Sequence, residues 1–205
     1  MKTALRWGLL LLLPALLIVE PAGAYDYPLS SEAIREAYFL GSGDPNKRAQ
    51  FFEKYTKRYA IPKSGQYVGL IQFETPYMLT AQRVSQNVSN YFAQDAEQEF
   101  LGKPAVCRVR VEVYWGYNSL QLPAGPNYHY QTDYTVQLKQ DDKEIRVKSK
   151  WTETLVGGES APIDIGIEFN NEYDASSIHS ATATVEVLDP GGKTLVESFD
   201  LDSLR

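Results

Sequence analysis

The chain has 205 residues, a formal net charge of −6 and 12% aromatic residues. That acidic balance argues against general binding to nucleic acid or to anionic lipid, both of which reward clustered cations. A single cysteine, Cys107, excludes an internal disulfide, and two histidines, His129 and His179, leave little material for a zinc site or for Ser-His or Cys-His catalysis.

Residues 1–24 read as a secretory signal peptide. Lys2 and Arg6 form a short basic start, an apolar run covers residues 8–19, and Ala22-Gly23-Ala24 is a small-residue cleavage pattern. The run is shorter than the about 20 residues a membrane span needs. No second apolar run follows, and no cysteine stands ready for a lipid anchor. The expectation is an exported chain, periplasmic or secreted, with no membrane span after signal cleavage. Lys2, Arg6 and Glu20 leave with the signal, so the remainder stays acidic.

Residues 25–64 are expected to form an N-terminal helical segment. Ser30 or Ser31 caps a first helix over residues 32–40, with Gly41 as its stop. Asp44-Pro45 opens a second helix that the pattern carries to about Tyr59. Phe51, Phe52, Tyr55 and Tyr59 share one arc of it, and Lys47, Lys54 and Arg58 make a stripe beside that arc. The stripe reads either as a solvated helix edge or as a docking face for an acidic partner or a phosphate-bearing surface. Residues 67–74 read as a strand that Thr75-Pro76 ends. Residues 77–88 fit strand or helix. Residues 90–101 fit a third helix, with Phe92, Ala93, Ala96 and Phe100 on one face.

The runs Ala33-Ile34-Arg35-Glu36-Ala37-Tyr38-Phe39-Leu40-Gly41, Pro62-Lys63-Ser64-Gly65 and Ala96-Glu97-Gln98-Glu99, the last placed before an Arg-Val-Arg-Val strand, resemble a group of uncharacterised exported bacterial proteins. The resemblance covers most of the chain after residue 24 and implies export. The group has no assigned activity, so no functional residue carries over from it.

From residue 106 onward the pattern is β. Cys107, Val109, Val111, Val113 and Trp115 alternate with Arg108, Arg110, Glu112 and Tyr114, the signature of a half-buried strand. The phase puts Cys107 on the apolar face, where it acts as a small hydrophobe. Residues 118–127 are a loop. Residues 128–140 and 144–152 are expected to pair as a hairpin across Asp141-Asp142. Residues 163–169 alternate cleanly, residues 170–177 read as a polar loop, and residues 182–188 and 194–201 form a last hairpin. The fold class is therefore α+β: N-terminal helices packed on an antiparallel Ig-like β-sandwich of about seven strands, the sandwich domain covering residues 65–205 with one helix inserted near residues 90–101.

The motifs of serine hydrolases and zinc proteases are absent from the sequence, and no cofactor or metal is implied. Gly192-Lys193-Thr194 resembles the end of a phosphate loop but joins two strands. Asn170, Asn171, Glu172 and Asp174 could offer oxygens to calcium, though a solvated loop accounts for them. Tyr114, Tyr117 and Tyr128, with His129 beside them on a polar strand face, are the candidate ligand contacts, since aromatics with polar tips give contact area at low entropic cost. The expected function is a non-catalytic exported binding or interaction module for a protein, peptide or glycan. The alternative is an envelope-polymer hydrolase, which needs two carboxyls about 5–10 Å apart in one cleft. The sequence sets no oligomeric state.

Overall fold

The computed structural model describes residues 27–62, 65–87, 89–101, 105–115, 132–158 and 163–204. Residues 1–26, Tyr117, Tyr128 and His129 lie outside the described residues. The described part is α+β, with four α-helices and two antiparallel sheets. Among the described residues no helix is long and apolar enough to cross a membrane.

The chain opens with α1 (Ser31–Ser42) and α2 (Pro45–Glu53). It continues through β1 (Thr56–Arg58), β2 (Tyr67–Glu74), α3 (Pro76–Gln86) and α4 (Ala93–Phe100). The described strands that follow are β3 (Val106–Tyr114), β4 (Thr135–Gln140), β5 (Lys143–Glu144), β6 (Val147–Gly157), β7 (Ile163–Asp174), β8 (Thr182–Leu188) and β9 (Thr194–Asp200), with short 3-10 turns at Ala175–Ser177 and Leu201–Ser203. The first sheet runs β1-β2-β3-β7-β6 and the second β5-β4-β8-β9.

β3 is the centre of the first sheet, as its alternation predicts. Cys107, Val109, Val111 and Val113 are fully buried, and burying each valine contributes about 1.5–3 kcal/mol. They join one core cluster with Phe73 and Tyr173 of the same sheet and with Leu138, Val185 and Phe199 of the other. Phe73 and Phe199 touch across the sheets with ring centroids 5.7 Å apart. A second cluster holds α1, α3 and α4 together through Ile34, Ala37, Tyr77, Ala81 and Ala96, and Phe51 and Phe52 pack against both clusters.

Several expectations are corrected. Gly41 does not stop α1; it lies inside the helix, where a Cβ would come within 2.3 Å of the Ala81 carbonyl oxygen. Glycine there lets α1 and α3 approach closely. α2 ends at Glu53 rather than Tyr59, because Tyr55 is drawn into the sheet core opposite Phe73 and Thr56 begins a strand paired with β2. Tertiary pairing overrides the helical periodicity there. The ambiguous residues after Thr75 are helical: Thr75 caps α3 by accepting a hydrogen bond from Met78 N, and Pro76 takes the first turn.

The expected hairpin of residues 128–140 with 144–152 is also corrected. β4 meets only the two residues of β5 across the Asp141-Asp142 turn, and both turn residues have positive φ, 49° and 62°. The chain then leaves the second sheet, and β6 pairs with β7 in the first. The polar run after Phe169 is no loop. β7 continues to Asp174, with Asn170, Asn171 and Tyr173 buried.

A candidate ligand groove between β4 and β6

The crossing of the chain from β5 to β6 leaves a groove between the two sheets. It encloses about 830 Å³ and is walled by residues 132–137 leading into and along β4 and residues 147–152 of β6. Phe169 and Asn171 of β7 also line it. Consecutive residues, rather than alternate ones, line each wall. Side chains alternate faces on a strand, so such a wall is the edge of a strand rather than one of its faces.

The two edges differ. On β4 the main chain is tied down. The Asn171 side-chain amide donates to Val136 O at 2.9 Å, and Ile145 N donates to Leu138 O at 2.8 Å. The Leu138 backbone also hydrogen-bonds the Tyr173 hydroxyl, whose pKa burial raises overall. Polar side chains from β7 thus close the edge of the other sheet, and these bonds hold Asn171 and Tyr173 at buried positions that would otherwise be costly. On β6 no described strand pairs beyond β7. Lys148, Ser149, Lys150, Thr152, Glu153 and Thr154 are all exposed.

β6 has a bulge between Val147 and Ser149. It turns Trp151 to the outer face, against the phase that groups Trp151 with Ile145 and Val147. There the Trp151 ring packs 5.0 Å from the Arg108 guanidinium, and its indole N–H donates to Glu153 at 2.9 Å. Tyr134 closes the other side, its ring 5.7 Å from Phe169.

The outer face of the first sheet carries a charged network. Arg108 bridges Glu172 at 3.0 Å and Glu74 at 3.5 Å, and Arg110 reaches Glu112 at 3.5 Å and Glu168 at 3.6 Å. Glu74 is fully buried, and burial raises its pKa against the opposing pull of Arg108 and Arg110. Glu112 and Glu168 are register partners, yet both are held by Arg110. That grip makes them ion-pair acceptors rather than an acid and base facing a substrate.

Tyr114 belongs to this network. Its hydroxyl donates to Glu112 at 2.6 Å, its ring stacks on Tyr67 at 5.8 Å, and burial, with help from Glu112, pushes its phenol up to about 12. It does not line the groove. Lys47 and Lys54 are exposed on α2 and at its C-cap, but Arg58 stands on β1 and pairs with Glu53, so the three do not form one helical stripe. Cys107 is buried in the core. His179 is exposed, with its backbone N–H donating to the Gln140 side chain. A second cavity of about 230 Å³, lined by Leu29, Pro76, Leu79, Phe100 and Val106 among others, lies where the helices meet the start of β3.

Sequence reasoning missed Trp151, Lys148, Lys150, Tyr134 and Asn171 as groove residues. One signal could have found the two lysines: Lys143, Arg146, Lys148 and Lys150 share eight positions with a single carboxylate, Glu144, in a chain of net charge −6. No protein-family description matches the chain, and no curated protein or solved structure matches it either.

Proposed function

We propose that this chain is an exported, non-catalytic module that binds a polypeptide ligand in the groove between β4 and β6 of an Ig-like sandwich. The carrying observation is the groove itself, about 830 Å³ bounded by two strand edges, of which only the β4 edge is tied down among the described residues. The shared core cluster and the Phe73–Phe199 contact support the sandwich reading. The N-terminal pattern of Lys2, Arg6 and Ala22-Gly23-Ala24 supports export. The Cys107 thiol is committed to the core, Glu74 to a buried ion network, and Glu112 and Glu168 to Arg110, which leaves Asp133 and Glu144 as the carboxyls that line the groove itself. A long strand edge beside an open groove favours main-chain recognition, which suits a polypeptide better than a glycan.

The test is a photo-crosslinking side chain placed at Thr152, in the groove, with Val196 on exposed β9 as control, in the protein's own cells. The expected result is one defined adduct from Thr152, none from Val196, and loss of the adduct when Trp151→Ala is added. Sensitivity of the adduct to protease identifies a polypeptide. An adduct removed by glycosidases alone makes the ligand a glycan. No adduct from Thr152 removes the groove as the binding site.

A further inference from the structure

We propose that the cavity where the helices meet the start of β3 binds a small, neutral aromatic molecule carrying one hydroxyl, a phenol in its simplest form. This site is separate from the groove and stands whether or not the groove binds a polypeptide.

Size sets the first limit. The cavity holds about 230 Å³, and its apolar walls include Pro28, Leu29, Pro76, Leu79, Phe100 and Val106. An apolar cavity of about 150 Å³ already accepts benzene, and drug-sized ligands need about 300 Å³ or more. The space therefore suits one ring with one or two further heavy atoms, and it excludes a peptide strand or an oligosaccharide. The walls are held in place. Pro76 opens α3 behind the Thr75 cap, Val106 pairs with Asp174, and the Ala105 carbonyl accepts from Ala175 N at 3.1 Å. A ligand enters a shape that is already made, so little ordering cost falls on binding.

Glu99 sets the second limit. It brings a carboxylate to the otherwise apolar lining, and its side chain keeps 34% exposure, whereas Leu29 and Pro76 are buried. A carboxylate accepts hydrogen bonds without donating, and it offers about four lone-pair positions. The Tyr91 hydroxyl takes one at 2.6 Å, and Arg83 Nε approaches at 3.5 Å, long for a hydrogen bond. Capacity remains for a donor from the ligand. Arg83 already opposes the carboxylate charge, so a ligand cation gains little. A ligand anion meets an acceptor where it needs a donor. A neutral hydroxyl supplies what the lining lacks, one donor at one end of an apolar ring, and a hydrogen bond to an ionised acceptor is a strong one.

The test follows the methyl NMR signals of Leu29, Leu79 and Val106 in the full chain during titration with phenol, toluene, benzylammonium and benzoate. The expected result is saturable shifts with phenol, and binding at least about fivefold weaker for each of the other three. Glu99→Met keeps the bulk and removes the acceptor, so toluene should still bind and phenol should lose its advantage. Ala105→Leu fills the cavity that Ala105 lines, and it should abolish the phenol shifts. Circular dichroism checks its fold, and Leu79→Phe takes its place if that fold is lost. No saturable shift with phenol overturns the proposal. So does phenol binding that survives a filled cavity, or an advantage of phenol over toluene that survives Glu99→Met. Tightest binding of benzylammonium would make this a cation site and overturn it too. N-acetyltyrosinamide carries the same ring on a main chain. Tighter binding of it than of phenol would assign the cavity to a tyrosine side chain of another polypeptide and overturn the free-ligand assignment. The Thr152 crosslink reports on the groove alone, so the two sites stand or fall separately.

Discussion

β3 and β6 flank the same strand, β7, on opposite sides, yet they do opposite work. β3 alternates buried and partly covered residues along its whole length. β6 is mostly exposed on both faces. The difference lies in what covers them. β3 has a strand on each side and the second sheet's residues against its inner face, so its inner positions are Cys107, Val109, Val111 and Val113. Among the described residues β6 has one neighbour, and its positions in register with Asn171, Phe169 and Ile167 are Lys150, Thr152 and Thr154, of which the first two line the groove. Burial, and with it stability, is concentrated at the centre of this sheet rather than at its edge.

The sharpest way to break this contrast is to place the same charge on both strands. Val111→Asp buries a carboxylate with no prepared partner, and it should cost more than about 4 kcal/mol or prevent folding. Thr152→Asp puts the charge on an exposed groove position, and it should change stability by no more than about 0.5 kcal/mol. Urea unfolding midpoints measure both. A large loss from Thr152→Asp would mean that β6 is a structural strand, and the division between centre and edge would fail.

A smaller effect is expected where β7 ties the two sheets together. Asn171→Ala removes the donor to Val136 O and leaves that carbonyl without its side-chain partner. The expected loss is about 1–3 kcal/mol, the range for an orphaned buried polar group. Amide exchange should quicken around β4 more than around β3, because the released edge belongs to the second sheet. Uniform quickening would show that Asn171 supports the core as a whole rather than the β4 edge.

These residues also show which parts of the fold the sequence discloses. β3, β8 and β9 were legible because apolar residues at period two announce a strand with one covered face. The caps at Ser30 and Asp44 mark true helix starts, because their side-chain hydrogen bonds are local, whereas Thr75 reads in the sequence only as the end of a strand. The end of α2 was not legible, since Tyr55 is equally apolar on a helix arc and in a sheet core. Nor was the split between β4 and β6. The tight Asp141-Asp142 turn is a genuine hairpin signal, but it governs only two residues on each side. The groove was the least legible part. It arises from a sheet-to-sheet crossing and a bulge, and its residues mix charged, polar and aromatic side chains with no period to reveal them.

The smallest effect tests the outer face of the sheet, where Glu74 is buried at the end of β2 beside Arg108 and Arg110. Burial raises its pKa above the ordinary 4.5, and the two arginines only partly offset that. Below the ordinary value, folded and unfolded chains both hold the proton, and Glu74 adds no pH dependence. Above it the unfolded chain releases the proton while the folded chain retains it. The folded state then binds more protons, so stability falls as pH rises, until the raised pKa is passed and the loss is complete. Glu74→Gln keeps the shape and removes the titration, and Arg108 and Arg110 retain Glu172, Glu112 and Glu168. The stability of the variant relative to the parent should therefore improve steadily as pH is raised from about 4.5, as urea unfolding at successive pH values would show. If the difference instead moves against the variant as pH rises, the arginines outweigh burial. The outer face would then be an ion lattice that favours the charged form of Glu74, and the stability of the sheet centre would owe as much to charge as to its valines.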